Sequence, residues 1–179
     1  MKKSLLTLFA VLSGAALFAQ TPVQVKGTLD REFVRTVKLF KVVDGNMQEI
    51  ASSLPQGDKK FGFTFYPEYE GFYALGTGEI GSQTDNLTFY FKPGDQLELS
   101  ITELSYDLLG KTNSKENQIL AKWHKESNAV EDKAFSWQKV RSTFVDFFPE
   151  LESLSAKAKS FPQANKSGNA KFDKRLATY

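Results

Sequence analysis

The chain has 179 residues, no cysteine and a formal net charge of +2. Without a thiol it has no disulfide staple, no thiolate nucleophile and no cysteine ligand for zinc or haem. The near-neutral balance excludes the basic footprint of a nucleic-acid binder and the polybasic patch of a membrane-surface protein. The 16 phenylalanines and 6 tyrosines point to stability by aromatic burial.

Met1-Lys2-Lys3 is a short positive head, and an apolar run from Leu5 to Phe18 follows it. Ala19 is a small residue suited to cleavage before Gln20, although Leu17 occupies a place where a small residue is usual. This layout predicts a signal peptide over 1–19, and hence export, with the periplasm as destination. No cysteine follows the apolar run, so no lipoprotein anchor is expected. No later stretch reaches the roughly 18 apolar residues of a membrane helix. Loss of Lys2 and Lys3 brings the 23 basic residues level with the 21 acidic ones. About 160 residues then remain, enough for one well-buried core.

From residue 22 to 110 strand patterns follow one another. Val23-Gln24-Val25-Lys26-Gly27-Thr28-Leu29 alternates apolar and polar, and Val37, Leu39 and Val42 continue the pattern. Asp44-Gly45-Asn46 is a hairpin turn, with Met47 to Ala51 as its return strand. Phe61-Gly62-Phe63-Thr64-Phe65 sets three phenylalanines on one face. Phe72 to Leu75 and Leu87 to Phe91 are further strands, and Lys92-Pro93-Gly94-Asp95 is a turn. Leu97-Glu98-Leu99-Ser100-Ile101 alternates again, and Tyr106 to Leu109 adds a last short strand. About seven or eight short strands with no room for crossover helices predict an antiparallel β-sandwich, the β part of an α+β fold.

Residues 111–179 read as helical. Asn113 is a capping residue with Glu116 three positions on, and Ile119, Leu120 and Trp123 form an apolar stripe. A second helix is predicted from Val130 to Phe148, carrying Phe135, Val140, Phe144, Phe147 and Phe148, with Pro149 bending or restarting the chain. Leu151 to Phe161 reads as helical but weakly apolar, residues 165–169 are a polar break, and a last helix begins at Ala170. That helix shows neither a glycine stop nor a polar tail by Tyr179, so the natural polypeptide is expected to continue.

Most candidate sites dissolve on inspection. Gly76-Thr77-Gly78-Glu79-Ile80-Gly81 fits a dinucleotide fingerprint by letter, but a strand follows it where a helix is required. His124 is the single histidine and reads as a surface residue without catalytic or metal-binding partners. The pairs Glu68/Glu70 and Glu131/Asp132 lie in polar stretches that read as solvated, and no calcium loop is present. Trp123 and Trp137 fall on helical stripes and read as core. Asn86-Leu87-Thr88 and Asn165-Lys166-Ser167 match the glycosylation pattern by coincidence. Tyr66, Tyr69, Tyr73 and Tyr90 are the residues best placed for ligand or partner contact, provided that they share an exposed sheet face. No cofactor is expected.

The order Val25-Lys26-Gly27-Thr28-Leu29, Val37-Lys38-Leu39-Phe40, Asp44-Gly45, Lys60 to Phe63 and Gly71 to Leu75 continues through Phe89-Tyr90-Phe91-Lys92-Pro93-Gly94-Asp95 and Leu97-Glu98-Leu99. It closes with Gly110 and Asn113-Ser114-Lys115-Glu116-Asn117. Over roughly residues 22–125 this resembles the N-terminal β-sandwich domain, of unassigned function, of exported TlpA-type thioredoxin-like thiol–disulfide oxidoreductases of Bacteroidetes. The Phe18-Ala19-Gln20 leader end is similar to that phylum's exported proteins. The resemblance implies a C-terminal thioredoxin-like domain of the same polypeptide as partner, with 111–179 as helical connector. It implies no catalytic residue here, because the family's Cys-x-x-Cys pair has no counterpart. The expectation is a non-catalytic unit serving dimerisation, docking or positioning of a redox domain, with a homodimer as the further partner. An independent glycan- or peptide-binding module is the alternative, and a hydrolase, lacking any nucleophile–base pair, comes third.

Overall fold

The computed structural model describes residues 21–30, 36–55, 57–76, 86–102, 106–110, 112–137 and 144–178. The leader at 1–19, Gly78 to Gly81 of the glycine-rich stretch, Val140 and Tyr179 lie outside the described residues, as do the side chains of Phe135, Trp137 and Phe144. Eight strands come first: β1 (Val23–Leu29), β2 (Val37–Val43), β3 (Asn46–Ser53), β4 (Lys60–Phe65), β5 (Gly71–Gly76), β6 (Asn86–Phe91), β7 (Gln96–Ile101) and β8 (Tyr106–Leu108). Three helices follow: α1 (Lys115–Trp137), α2 (Phe144–Ala164) and α3 (Ala170–Leu176). This is the expected α+β arrangement of strands and then helices.

The strands form two four-stranded sheets, ordered β4-β1-β7-β8 and β3-β2-β5-β6. One pairing departs from the antiparallel expectation, because β1 and β7 run parallel, Gln24 facing Gln96 and Leu29 facing Ile101. The cause lies in the 92–95 turn. It carries the chain out of β6 and across to the other sheet, where the Gly94 N–H donates to the Thr21 carbonyl and the Gln24 N–H to the Asp95 carbonyl, both at 2.9 Å. Two strands that start side by side run the same way. The intervening strands provide the long connection a parallel pair requires.

Period-2 alternation aims one set of side chains between the sheets. Val23, Val25 and Leu29 of β1 meet Leu97, Leu99 and Ile101 of β7, with Phe61, Phe63, Leu39, Tyr73, Leu75, Phe89 and Phe91 around them. Gly27 is required within this layer. A Cβ there would come 2.5 Å from the Phe61 ring and 2.7 Å from the Leu99 carbonyl, so the ring fills the space above a bare backbone. Gly45 turns the β2–β3 hairpin at φ +78.

The helices cover the outer face of the β5 and β6 end of the β3-β2-β5-β6 sheet. Phe72 and Tyr90 point out from β5 and β6 into a second apolar cluster with Ile119, Leu120 and Trp123 of α1, Phe161 of α2, and Phe172 and Leu176 of α3. Phe172 is fully buried and meets the Tyr90 ring edge-on at 5.1 Å. Two boundaries differ from the sequence reading. α1 runs unbroken past Val130 to Trp137, and α2 carries Pro149 and Pro162 inside it. The carbonyl that Pro149 leaves without its N–H partner belongs to Val145, a residue 79% exposed, so water can take the place of that bond. The Trp123 ring packs on Phe161 at 5.0 Å, in the apolar role its stripe predicted.

Candidate functional site

The β6 edge is where sheet and helices are joined. Tyr90 lies on the outermost strand, so its backbone N–H and C=O face away from β5. Both are bonded to one side chain: Asn117 Oδ1 accepts the Tyr90 N–H at 2.8 Å, and Asn117 Nδ2 donates to the Tyr90 carbonyl at 2.9 Å. A carboxamide has the donor and acceptor of a peptide group, so it closes an edge as another strand would. Asn117 is held there by the start of α1. Its N–H donates to Ser114 Oγ at 3.2 Å, which makes Ser114 the capping residue. Asn113, the expected cap, is used elsewhere: it accepts from the Gln96 N–H at 2.7 Å and donates to the Gly94 carbonyl at 3.0 Å.

A chain of polar side chains extends from this joint. The Tyr90 hydroxyl donates to Glu70 Oε1 at 3.2 Å. Asn169 Nδ2 donates to the same oxygen at 2.6 Å and to Glu116 Oε1 at 2.9 Å. Lys92 Nζ donates to Glu116 Oε1 at 2.6 Å. The Asn169 carbonyl oxygen meanwhile accepts the N–H groups of Lys171 and Phe172, capping α3. One asparagine therefore links Glu70, just before β5, with α1 and α3. Asp173 fixes the loop before it, accepting from the Ser167 N–H and hydroxyl and from the Gly168 N–H.

The network sets the ionisation of its members. The bond from Asn169, opposed by burial, holds Glu70 below the ordinary carboxylate value. Burial works to raise Glu116, whose side chain is 3% exposed, but the bonds from Lys92 and Asn169 outweigh it and hold Glu116 low. Burial, together with the Glu70 charge, pushes the Tyr90 hydroxyl well above its usual range. Asp95, buried in the 92–95 turn, is raised by desolvation to about 6 even though it accepts from the Lys92 N–H.

Beside Glu70 opens a cleft of about 460 Å³, walled by Glu70, Lys171, Lys174, Arg175 and Thr178. It takes the outer stripe of α3, while Phe172 and Leu176 anchor the inner face. Gly71 gives its wall room. A Cβ there would lie 2.8 Å from the Tyr69 ring and 3.5 Å from an Arg175 guanidinium nitrogen.

The four tyrosines do not form an exposed face. Tyr66 is 63% exposed. Tyr69 is half-buried, its single hydroxyl proton lying between the Val42 and Phe72 carbonyls and its oxygen accepting from the Val42 N–H. Tyr73 is buried, stacked on Tyr69 at 4.9 Å, and Tyr90 is fully buried. The even-odd pattern of β5 sends Tyr73 into the sandwich, and the helices cover Tyr90. His124 is half-buried, not a fully exposed surface residue: its ring stacks on Tyr106 at 4.7 Å, and its Nε2 is buried without a partner among the described residues. Burial holds it below the ordinary imidazole value against the pull of Glu131 and Asp107. Nor is Glu70 a solvated carboxylate, given its place in the network. The residues that sequence reading passed over are Lys171, Lys174 and Arg175, whose i, i+3, i+4 spacing opposite Phe172 and Leu176 was the available signal.

The chain matches no protein family and no curated protein. Among solved structures it is similar to a DUF3823 family protein from Parabacteroides merdae, with 15% identity and a TM-score of 0.31 over 47% of each chain. The match thus spans about half the length of that protein.

Proposed function

We propose that this chain is the non-catalytic accessory unit of an exported, periplasmic thioredoxin-like thiol–disulfide oxidoreductase. The sandwich serves docking or dimerisation, and the helical layer positions a redox domain that follows it in the same polypeptide. The resemblance of the strand order to such N-terminal domains motivates the reading, and without a cysteine this chain would need a further domain to carry the thiol pair. The observation that supports it best is the anchorage of the connector. Asn117 ties α1 to β6 and Asn169 ties the start of α3 to Glu70 and to α1 by buried and half-buried hydrogen bonds, so a domain attached after α3 would start from a set position. The glycan- or peptide-module alternative loses support in its tyrosine form, since Tyr73 and Tyr90 are buried. Sequencing the gene past the Tyr179 codon tests the proposal. The expected result is an open frame entering a domain with a Cys-x-x-Cys pair, and a stop codon directly after Tyr179 would overturn it.

A further inference from the structure

The cleft beside Glu70 carries more positive charge than its surroundings use. Three cationic side chains and one carboxylate line it. Glu70 is already committed to Asn169, Tyr90 and Lys171, the last at 3.5 Å. Among the described residues no carboxylate pairs with Lys174 or Arg175, and both are exposed. The C-terminal end of α3 accounts for only about half an elementary charge of this surplus. One guanidinium nitrogen of Arg175 lies beside Gly71, 3.5 Å from where a Cβ would stand, on a helix pinned by Phe172 and Leu176. A planar guanidinium fork can bind an oxyanion through two parallel N–H bonds, with the Lys174 ammonium as a second charge. The volume, about 460 Å³, lies within the roughly 300–1,000 Å³ of small-ligand sites.

We propose that the Lys171–Lys174–Arg175 cleft is a binding site for the oxyanion of a small ligand, a carboxylate or a phosphate, gripped by Arg175 and Lys174. Thr178, whose hydroxyl donates to the Arg175 carbonyl at 2.9 Å, fixes the turn that closes the cleft. This site is independent of the redox reading above, since it needs only this chain.

The test is a titration of the ¹⁵N-labelled chain at 0.15 M salt with sodium glucuronate and, separately, with inorganic phosphate, following the Arg175 side-chain Nε–H signal. Exposed charges further apart than about 8 Å are screened there, which suppresses unspecific attraction. A saturable shift of the Arg175 signal is expected, tighter for glucuronate if the natural group is a carboxylate and tighter for phosphate if it is a phosphate. Lys174→Gln combined with Arg175→Gln should weaken the binding at least tenfold and leave the urea midpoint unchanged. Lys26→Gln, on the far sheet, should leave the binding as it was. Shifts that stay linear for both anions, or a double variant that binds as tightly as the natural chain, would overturn the proposal.

Discussion

Single side chains decide whether the two layers hold together, and Asn117 has the largest part. Its carboxamide satisfies two backbone groups of a fully buried residue. Asn117→Ala strands both, at about 1–3 kcal/mol for each group left without a partner. A loss of about 2–4 kcal/mol in urea unfolding at neutral pH is expected, and a loss under 1 would show that water replaces the amide. Asp95 acts in the opposite sense. Its folded value of about 6 lies above the ordinary 3.8, so the fold binds this proton more tightly than the unfolded chain does. Its contribution is therefore fully present below pH 3.8 and is lost as pH rises to about 6. Asp95→Asn keeps an acceptor for the Lys92 N–H and removes the titration. Its stability relative to the natural chain should grow between pH 4 and 6, by about 1–3 kcal/mol, and level off above. Urea midpoints at four pH values measure this, and a pH-independent difference would contradict the assignment. Asn117 could not be read from the sequence. A polar residue in the first turn of a helix looks like any solvated one until the strand edge beside it is known. The capping role was legible in kind and misplaced by one residue, because Asn113 is drawn to the β7 backbone instead.

Among the elements, α3 shows how far a short helix depends on its neighbours. Seven residues cannot hold a helix in water by propensity. Asn169 caps this one, and Phe172 is seated among Phe72, Tyr90 and the helices. Phe172→Ala should cost up to about 3–4 kcal/mol, limited by release of α3 alone. The α3 amides should then exchange quickly while those of β1 and β7 keep their protection. Slow α3 exchange in the variant would mean that the cap alone holds it. Strand positions were largely legible because period-2 alternation is local. The β1–β7 parallel pairing was not, since it is set by where the 92–95 turn deposits the chain, 72 residues on from its partner, Gln96 lying beside Gln24. The helix boundaries failed for a related reason. A proline disfavours helix through its missing N–H and its clash with the carbonyl four residues back, and how far a helix tolerates this depends on exposure, which is a tertiary property. On the opposite side of the molecule β3 remains an edge, with Met47 and Ile50 exposed. An irregularity between Leu39 and Phe40 sets Ile50 out of register, which discourages pairing with another chain.

For the whole molecule, the two apolar clusters share β5 and β6. Tyr73 and Phe89 face the sandwich core, and Phe72 and Tyr90 face the helices. Unfolding either layer strips one face of the same two strands, so the sandwich and the helical layer should behave as one cooperative body. Class and order of elements were visible in the composition and periodicity. Which sheet the helices cover was not, because β5 reads apolar on both faces and nothing local says which partner each face takes. The cleft follows from that choice, since α3 must lie on β5 before its basic stripe can stand beside Glu70. Native-state hydrogen exchange through a urea series tests this cooperativity most directly, comparing the Tyr90 amide and the α1 amides of residues 121–127 with those of Val25 and Leu99. The account predicts that all converge on one opening free energy. If the α1 amides open several kcal/mol below the strands, while the strands keep full protection, the helical layer is a separate attachment and the account is wrong.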